Sequence, residues 1–383
     1  MNKHIKVVAG VLALTLVFSG GLAIGRANIS VTVPVTASAD TYEIFDYKVV
    51  NDEIQIIACD RNATDAVIPS EINGMPVTNI SAYAFVDRTN LKSVTIPESV
   101  TVIGWNAFEN CTSLTSVTIP DGVISIEPHA FKGCTSLASV NLGKNTMLIG
   151  DSAFSGCTSL ASIVLPESVD SVDTMAFANC EKLSDITFSE SLTKFGLGAF
   201  DNTAWLKTKV SENPLVIVNN VLIDGISCSG DVVIPDGVTE IRGSGFNGAS
   251  KVTSVTIPES VETIGLNVFN ECSALQVITI LNPDCNIYDN KNTLGNTIVN
   301  APENSTAQAY AEKYDLKFVA LGDEIPEIPE NPQPIKKGDI NEDGKINAID
   351  ATIISCYYAY ISTTEDEVVM DIDEFMASDL YNS

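Results

Sequence analysis

The chain has 383 residues, a formal net charge of −28, 45% hydrophobic residues and only 18% charged ones. That length holds two or three ordinary domains, or one long solenoid with an appendage. A chain this acidic cannot neutralise phosphate, which argues against nucleic acid and an anionic membrane surface as partners, whereas hard divalent cations suit it.

The N-terminus has the three parts of a secretory signal. Lys3 and Lys6 precede an apolar run from Val7 to Ile24, and Ala37-Ser38-Ala39 is a small-residue cleavage site. An uncleaved anchor is the rival reading, because the run is about long enough to span a bilayer. Gly20-Gly21 and the later A-x-A site favour removal of residues 1–39, and no later stretch is apolar for long enough to cross a membrane. A secreted, extracellular or cell-surface protein is expected, with no membrane contact after cleavage.

Residues 42–58 read as a hairpin. From residue 64 a 23-residue ruler takes over: Phe85, Phe108, Phe131, Phe154, Phe177 and Phe200 share one phase, which Phe246 and Phe269 resume. Pro97, Pro120, Pro166, Pro235 and Pro258 keep the same step, as do Leu91, Leu114, Leu137, Leu160, Leu183, Leu206 and Leu275. In a typical unit Val117 and Ile119 alternate with Ser116 and Thr118, the period of a short half-buried strand. Pro120-Asp121-Gly122 turns the chain, and Val123 with Ile126 suits a second extended stretch. One unit cannot bury its apolar set alone, whereas stacked units bury it as a ladder.

These units resemble the BspA-like leucine-rich repeats over about residues 64–320, on the pattern L-x-x-(V/I)-x-(I/L)-P…(V/I)-x-x-I-x-x-x-A-F-x-x-C. The resemblance implies a β-rich solenoid used for adhesion or protein binding. The outward strand slots Ser93/Thr95, Ser116/Thr118, Ser139/Asn141, Ser162/Val164, Asp185/Thr187 and Ser254/Thr256 would form one hydroxyl-rich face. Between residues 208 and 231 the phenylalanine slot holds Ile223 and the stretch 215–223 reads as a hairpin turning at Asn219-Asn220, with the register carried through. Residues 305–314 read as a capping helix with Ser305 at its N-cap, followed by a strand over 316–321.

Five of the nine cysteines, Cys111, Cys134, Cys157, Cys180 and Cys272, lie on one 23-residue grid. A residue that recurs with the repeat fills the same interior slot each time, so a column of buried free thiols is expected.

Residues 322–337 interleave Asp323, Glu324, Glu327 and Glu330 with four prolines, an extended linker. It leads to a loop with oxygen ligands at EF-hand spacing: Asp339, Asn341, Asp343, Asn347 and Asp350, with Gly344 at the sharp turn and the Lys345 carbonyl as a further ligand. One Ca²⁺ is expected there. Residues 338–383 resemble a type I dockerin, a small α-helical, EF-hand-like module. That resemblance implies docking to a cohesin module of a scaffoldin in a cellulosome-type assembly, through Ala348, Ile349 and Ile353. The second loop keeps Asp371, Asp373 and Asp379 but lacks the glycine, so its calcium site is in doubt.

Catalysis has little material. After cleavage the chain holds one histidine, His129, and the acids Glu98, Asp121, Glu167, Asp236 and Glu259 recur at turns, where they serve solvation. The reading is therefore a signal peptide (1–39), an N-terminal cap (40–63), repeats (64–300), a C-terminal cap (301–321), a linker (322–337) and a dockerin-like module (338–383). A non-catalytic binding protein for protein or glycan ligands fits this layout best. A spacer carried on the scaffold, or less well a polysaccharide-degrading component, remains open.

Overall fold

The computed structural model describes residues 40–323 and 325. The loop residues Asp339, Asn341, Asp343, Lys345, Asn347 and Asp350, the docking residues Ala348, Ile349 and Ile353, and the signal segment all lie outside these.

Each repeat is one coil carrying two short strands. The first-row strands, such as Ser116–Thr118 and Ser139–Asn141, run parallel with partners 23 residues apart: Ser116↔Ser139, Val117↔Val140, Thr118↔Asn141. The second-row strands, such as Ser125–Ile126 and Leu148–Ile149, pair with the same offset. Strand length is limited because the turn after Pro120 and the turn before Ala130-Phe131 leave only two or three residues of each row free to extend. The second row begins in an antiparallel hairpin, Phe45–Val50 with Glu53–Cys59, which joins the parallel strands through Met75–Ile80. This hairpin covers the first coil.

The core is a set of columns running along the stack. Phe85, Phe108, Phe131, Phe154, Phe177 and Phe200 lie ring upon ring, with centroids 4.6, 5.1, 5.4, 5.4 and 5.8 Å apart. From Phe108 to Phe200 the rings are within 6° of parallel. Each stacked pair adds about 0.5–1.5 kcal/mol to what burial alone contributes. Coils this close leave no room for some side chains: a Cβ at Gly150 would stand 2.6 Å from the Ile126 carbonyl oxygen.

The cysteine column is buried as expected at Cys111, Cys134, Cys157 and Cys180, whereas Cys272 is only half-buried. All eight cysteines of the described residues are free. Sγ of Cys111, Cys134, Cys157, Cys180 and Cys272 donates to the carbonyl of Phe85, Phe108, Phe131, Phe154 and Phe246 respectively, at 3.0–3.3 Å. Each of these carbonyls also accepts a backbone N–H of its own turn, Cys111 N–H on Phe108 for example, so the thiol is its second donor. The neighbouring Cys111 thiol and burial hold Cys134 well above the usual thiol range, and burial together with Cys180 does the same for Cys157. Burial pushes Cys285 up to about 12.

The register does not run through unbroken. Grid positions 208–210, due to be a first-row strand, lie inside a helix, α1 (Ala204–Glu212), and Leu206 sits on it rather than in a leucine slot. Thr203 starts it, its Oγ1 accepting from the Leu206 N–H at 3.1 Å. The expected hairpin follows, Val216–Val218 with Val221–Asp224, turning on Asn219 and Asn220 at φ of 48° and 65°. Its second strand pairs Val221↔Glu240 and Leu222↔Ile241, a step of 19 residues, before Glu240↔Thr263 restores 23. Ile223 therefore misses the phenylalanine slot. Gly225 lies against the Phe246 ring instead, where an added Cβ would stand 2.4 Å from the ring. The first phenylalanine column ends at Phe200, with Trp205 tilted across it at 5.3 Å, and a second starts with Phe246 and Phe269 at 5.2 Å.

The far end is closed by the strand Ile298–Ala301, a second helix, α2 (Thr306–Lys313), and the strand Phe318–Ala320. Ser305 caps α2, its Oγ accepting from the Gln308 N–H at 3.2 Å. Tyr310 Oη donates to the Asn290 carbonyl at 2.5 Å, tying helix to coil.

Two outcomes test this packing. Phe154→Ala removes a fully buried ring flanked by two stacked neighbours and should cost about 3–5 kcal/mol in urea unfolding. Ellman's reagent at pH 8 should leave the thiols of Cys134 and Cys157 unmodified in the folded protein and label them after denaturation; labelling in the folded state would contradict the buried, protonated column.

Candidate functional site

The first-row strands alternate outward, inward, outward, so their end residues face solvent. Asp65/Val67, Ser93/Thr95, Ser116/Thr118, Ser139/Asn141, Ser162/Val164 and Asp185/Thr187 are all exposed. The inward residue of each strand, such as Val117 or Ile163, is buried. Beyond the interrupted coil the face resumes with Asp231/Val233 and the half-buried Ser254/Thr256. The sequence placed the hydroxyl rows correctly; it missed the aspartates Asp65 and Asp231 and the exposed valines Val67 and Val233, which stand in the same slots.

Side chains on this face bond across coils. Ser93 Oγ donates to Asp65 Oδ1 at 2.5 Å and Thr64 Oγ1 to Oδ2 at 2.9 Å. These two bonds, Ser93 first, hold the Asp65 carboxyl below its ordinary range. Ser254 and Thr253 do the same for Asp231, at 2.6 and 2.9 Å. Asn141 Nδ2 donates to Thr118 Oγ1 at 3.4 Å. The row opens in places. Ser139–Asn141 and Ser162–Val164 are adjacent but not paired, and an open groove of about 280 Å³ lies between them. At the interrupted coil a larger cleft, about 530 Å³, is lined by Phe188, Trp205, Leu215 and Ile217 with Lys209 and Glu212 at its rim.

What the face offers is hydroxyl and amide groups that both donate and accept, with isolated carboxylates. That suits recognition of hydroxylated or amide-bearing surfaces. His129 stands apart from it on a turn, its Nε2 3.6 Å from Asp151 Oδ1 and its Nδ1 3.4 Å from Asn106 Nδ2. Ser152, the hydroxyl beside Asp151, donates to that carboxylate at 2.7 Å rather than to the imidazole, so no nucleophile–base pair forms there. Among the described residues no group of three or more His, Cys, Asp and Glu side chains is placed to hold a metal ion, and no helix is long and apolar enough to cross a membrane.

A family model described as "BspA type Leucine rich repeat region" matches residues 78–207 and 226–331 in six copies, more than half of the chain. Its gap falls on the interrupted coil. A second, "Dockerin type I domain", matches residues 332–374. Among curated proteins no match was found. Similar solved structures include a leucine rich cell surface protein from Faecalibacterium prausnitzii, 22% identical, covering 76% of this chain and 96% of that one with a TM-score of 0.41. The leucine rich repeat protein of T. pallidum is 21% identical over 74% of this chain and 98% of its own, with a TM-score of 0.35. A leucine-rich repeat protein from Bacteroides capillosus is 26% identical, covering 42% of this chain and 99% of that one, at a TM-score of 0.25.

Hydrogen bonds to a carboxylate favour its charged form. Ser93→Ala should therefore raise the Asp65 pKa toward the ordinary aspartate value, as followed by carboxyl ¹³C shifts in an acid titration, and leave Asp231 where it is.

Proposed function

Because the chain belongs to the BspA-type leucine-rich repeat family and carries a type I dockerin module behind its repeats, we propose that it is a secreted, non-catalytic binding protein held on a cellulosome-type scaffold. The observation that carries this reading is the pairing of two binding modules on one chain, joined by a proline- and glutamate-rich linker over 322–337. The solenoid presents its hydroxyl-rich strand face to a protein or glycan ligand, and the dockerin engages a cohesin.

The donor chemistry of the loop fits calcium. Asp339, Asn341, Asp343, Asn347 and Asp350 are hard oxygen ligands, the Lys345 carbonyl adds another, and Gly344 permits the sharp turn between them. Bound calcium would order the loop and the segment after it, so that Ala348, Ile349 and Ile353 meet the cohesin as an apolar patch. An apolar contact of this kind selects its partner by shape more than by charge. The signal segment at residues 1–39, removed after Ala39, accounts for export.

Surface plasmon resonance of the full chain over a panel of type I cohesins tests the docking half. Binding to at least one cohesin in calcium is expected, with loss of about tenfold or more in EDTA and in Asp343→Ala, where a central ligand is gone. Binding that survives EDTA, or no binding to any cohesin, would overturn it.

A further inference from the structure

Tyr83 and Trp105 are each 57% exposed, whereas the chain's other tryptophan, Trp205, is buried at 7%. Exposing two large rings forgoes the burial that usually places them inside or at an interface. They are neighbours: the Tyr83 N–H donates to the Trp105 carbonyl at 3.0 Å, so the rings sit on adjacent coils. Both stand on the turn that follows the second strand row, away from the outward slots of the first row.

Trp105 is held. Its Nε1–H donates to Glu127 Oε2 at 2.7 Å, which restricts the indole before any ligand arrives and lowers the ordering cost of binding. Further along the same turns come Asn106, His129 and Asp151, one coil after another, linked by the Asn106–His129 and His129–Asp151 contacts. Two exposed rings on adjacent coils thus stand beside groups that donate and accept hydrogen bonds.

We propose that Tyr83 and Trp105, with Glu127, His129 and Asp151, form a binding site for a neutral polysaccharide. A sugar ring has C–H groups on its faces and hydroxyls at its rim, so it can lie on an indole and bond sideways to carboxylate, amide and imidazole. The ligand is neutral because Glu109, Glu127 and Asp151 repel an anionic chain, and Lys132, 3.6 Å from Glu109, is already paired. An extended peptide is disfavoured because the N–H groups of Tyr83, Asn106 and His129 already donate to the Trp105, Pro128 and Asp151 carbonyls of the next coil and are not free to pair with a strand. Because the site lies off the strand face, it stands or falls separately from ligand binding there.

Native affinity electrophoresis of the full chain tests it, in gels containing hydroxyethylcellulose, galactomannan or mixed-linkage β-glucan, with polygalacturonate and polylysine as charged comparators. At least one neutral polymer should retard the protein and shift its tryptophan emission to the blue. Trp105→Ala should weaken retardation about tenfold or more, Tyr83→Ala should weaken it less, and both should melt like the parent. Failure of all three neutral polymers, preference for a charged comparator, or retardation unchanged in Trp105→Ala would each overturn the proposal. Loss in Thr118→Ala with Trp105→Ala unaffected would move the ligand to the strand face and sink this site alone.

Discussion

A phenylalanine ring laid flat on the ring of the next coil fixes the distance between coils and the rotation between them. From Phe108 to Phe200 the rings are 5.1–5.8 Å apart and nearly parallel, so each coil repeats the last almost without turning. Every other column inherits that step. The Cys thiols reach a carbonyl at the same distance in coil after coil because the donor and acceptor recur in one geometry. Gly150 lacks a side chain because the step leaves its Cβ no space. The energetics are those of a one-dimensional stack, in which a coil is stabilised by its two neighbours and by little else.

The coil between Phe200 and Phe246 shows what happens when the ring is missing. With Gly225 against Phe246, the pairing step shortens to 19 residues, and a helix and hairpin occupy the space of a regular turn. Trp205 closes one column by tilting across Phe200. Arg242, buried to 8% exposure in a slot that holds glycine in the coils of Gly196 and Gly265, reaches back to donate to the Gly196 carbonyl at 2.6 Å. Asn219 Nδ2 likewise donates to Ser189 and Leu192 at 2.8 Å. Side chains here supply bonds that strand pairing supplies elsewhere, and the two stacks stay joined.

Much of this was legible in the sequence because a fixed period constrains many residues at once. The phenylalanine, leucine and proline markers agree on 23, and a residue in phase with them has only one place to go. Asn219-Asn220 announced its turn because asparagine tolerates positive φ, and Ser305 announced α2. The helix α1 was not legible, since Leu206 keeps the phase of the leucines while Thr203 starts a helix around it. Ile223 misled for the same reason: in a spliced coil the count along the chain and the count along the stack part company. The exposed pair Tyr83 and Trp105 was missed because their two slots hold unlike residues from coil to coil, so no ruler marks them.

That last difference shows where function can be written on such a chain. Inward slots are held to a short alphabet of phenylalanine, cysteine, alanine and branched aliphatics, because a change there disturbs both neighbouring coils. Outward slots are free: the column of Asp65 holds serine in the next four coils and aspartate again at Asp185. The column of Tyr83 holds Asn106, His129, Ser152 and Met175 in turn, and all five adopt φ between 52° and 64°. Met175 is no easy resident of that backbone region, which for a bulky side chain carries a steric cost. The coil retains it because the stack, rather than the residue, dictates the backbone. Ligand-facing chemistry can therefore change one slot at a time while the backbone stays fixed, and a stretch of unlike side chains along one turn is the part of this solenoid that its own packing does not explain.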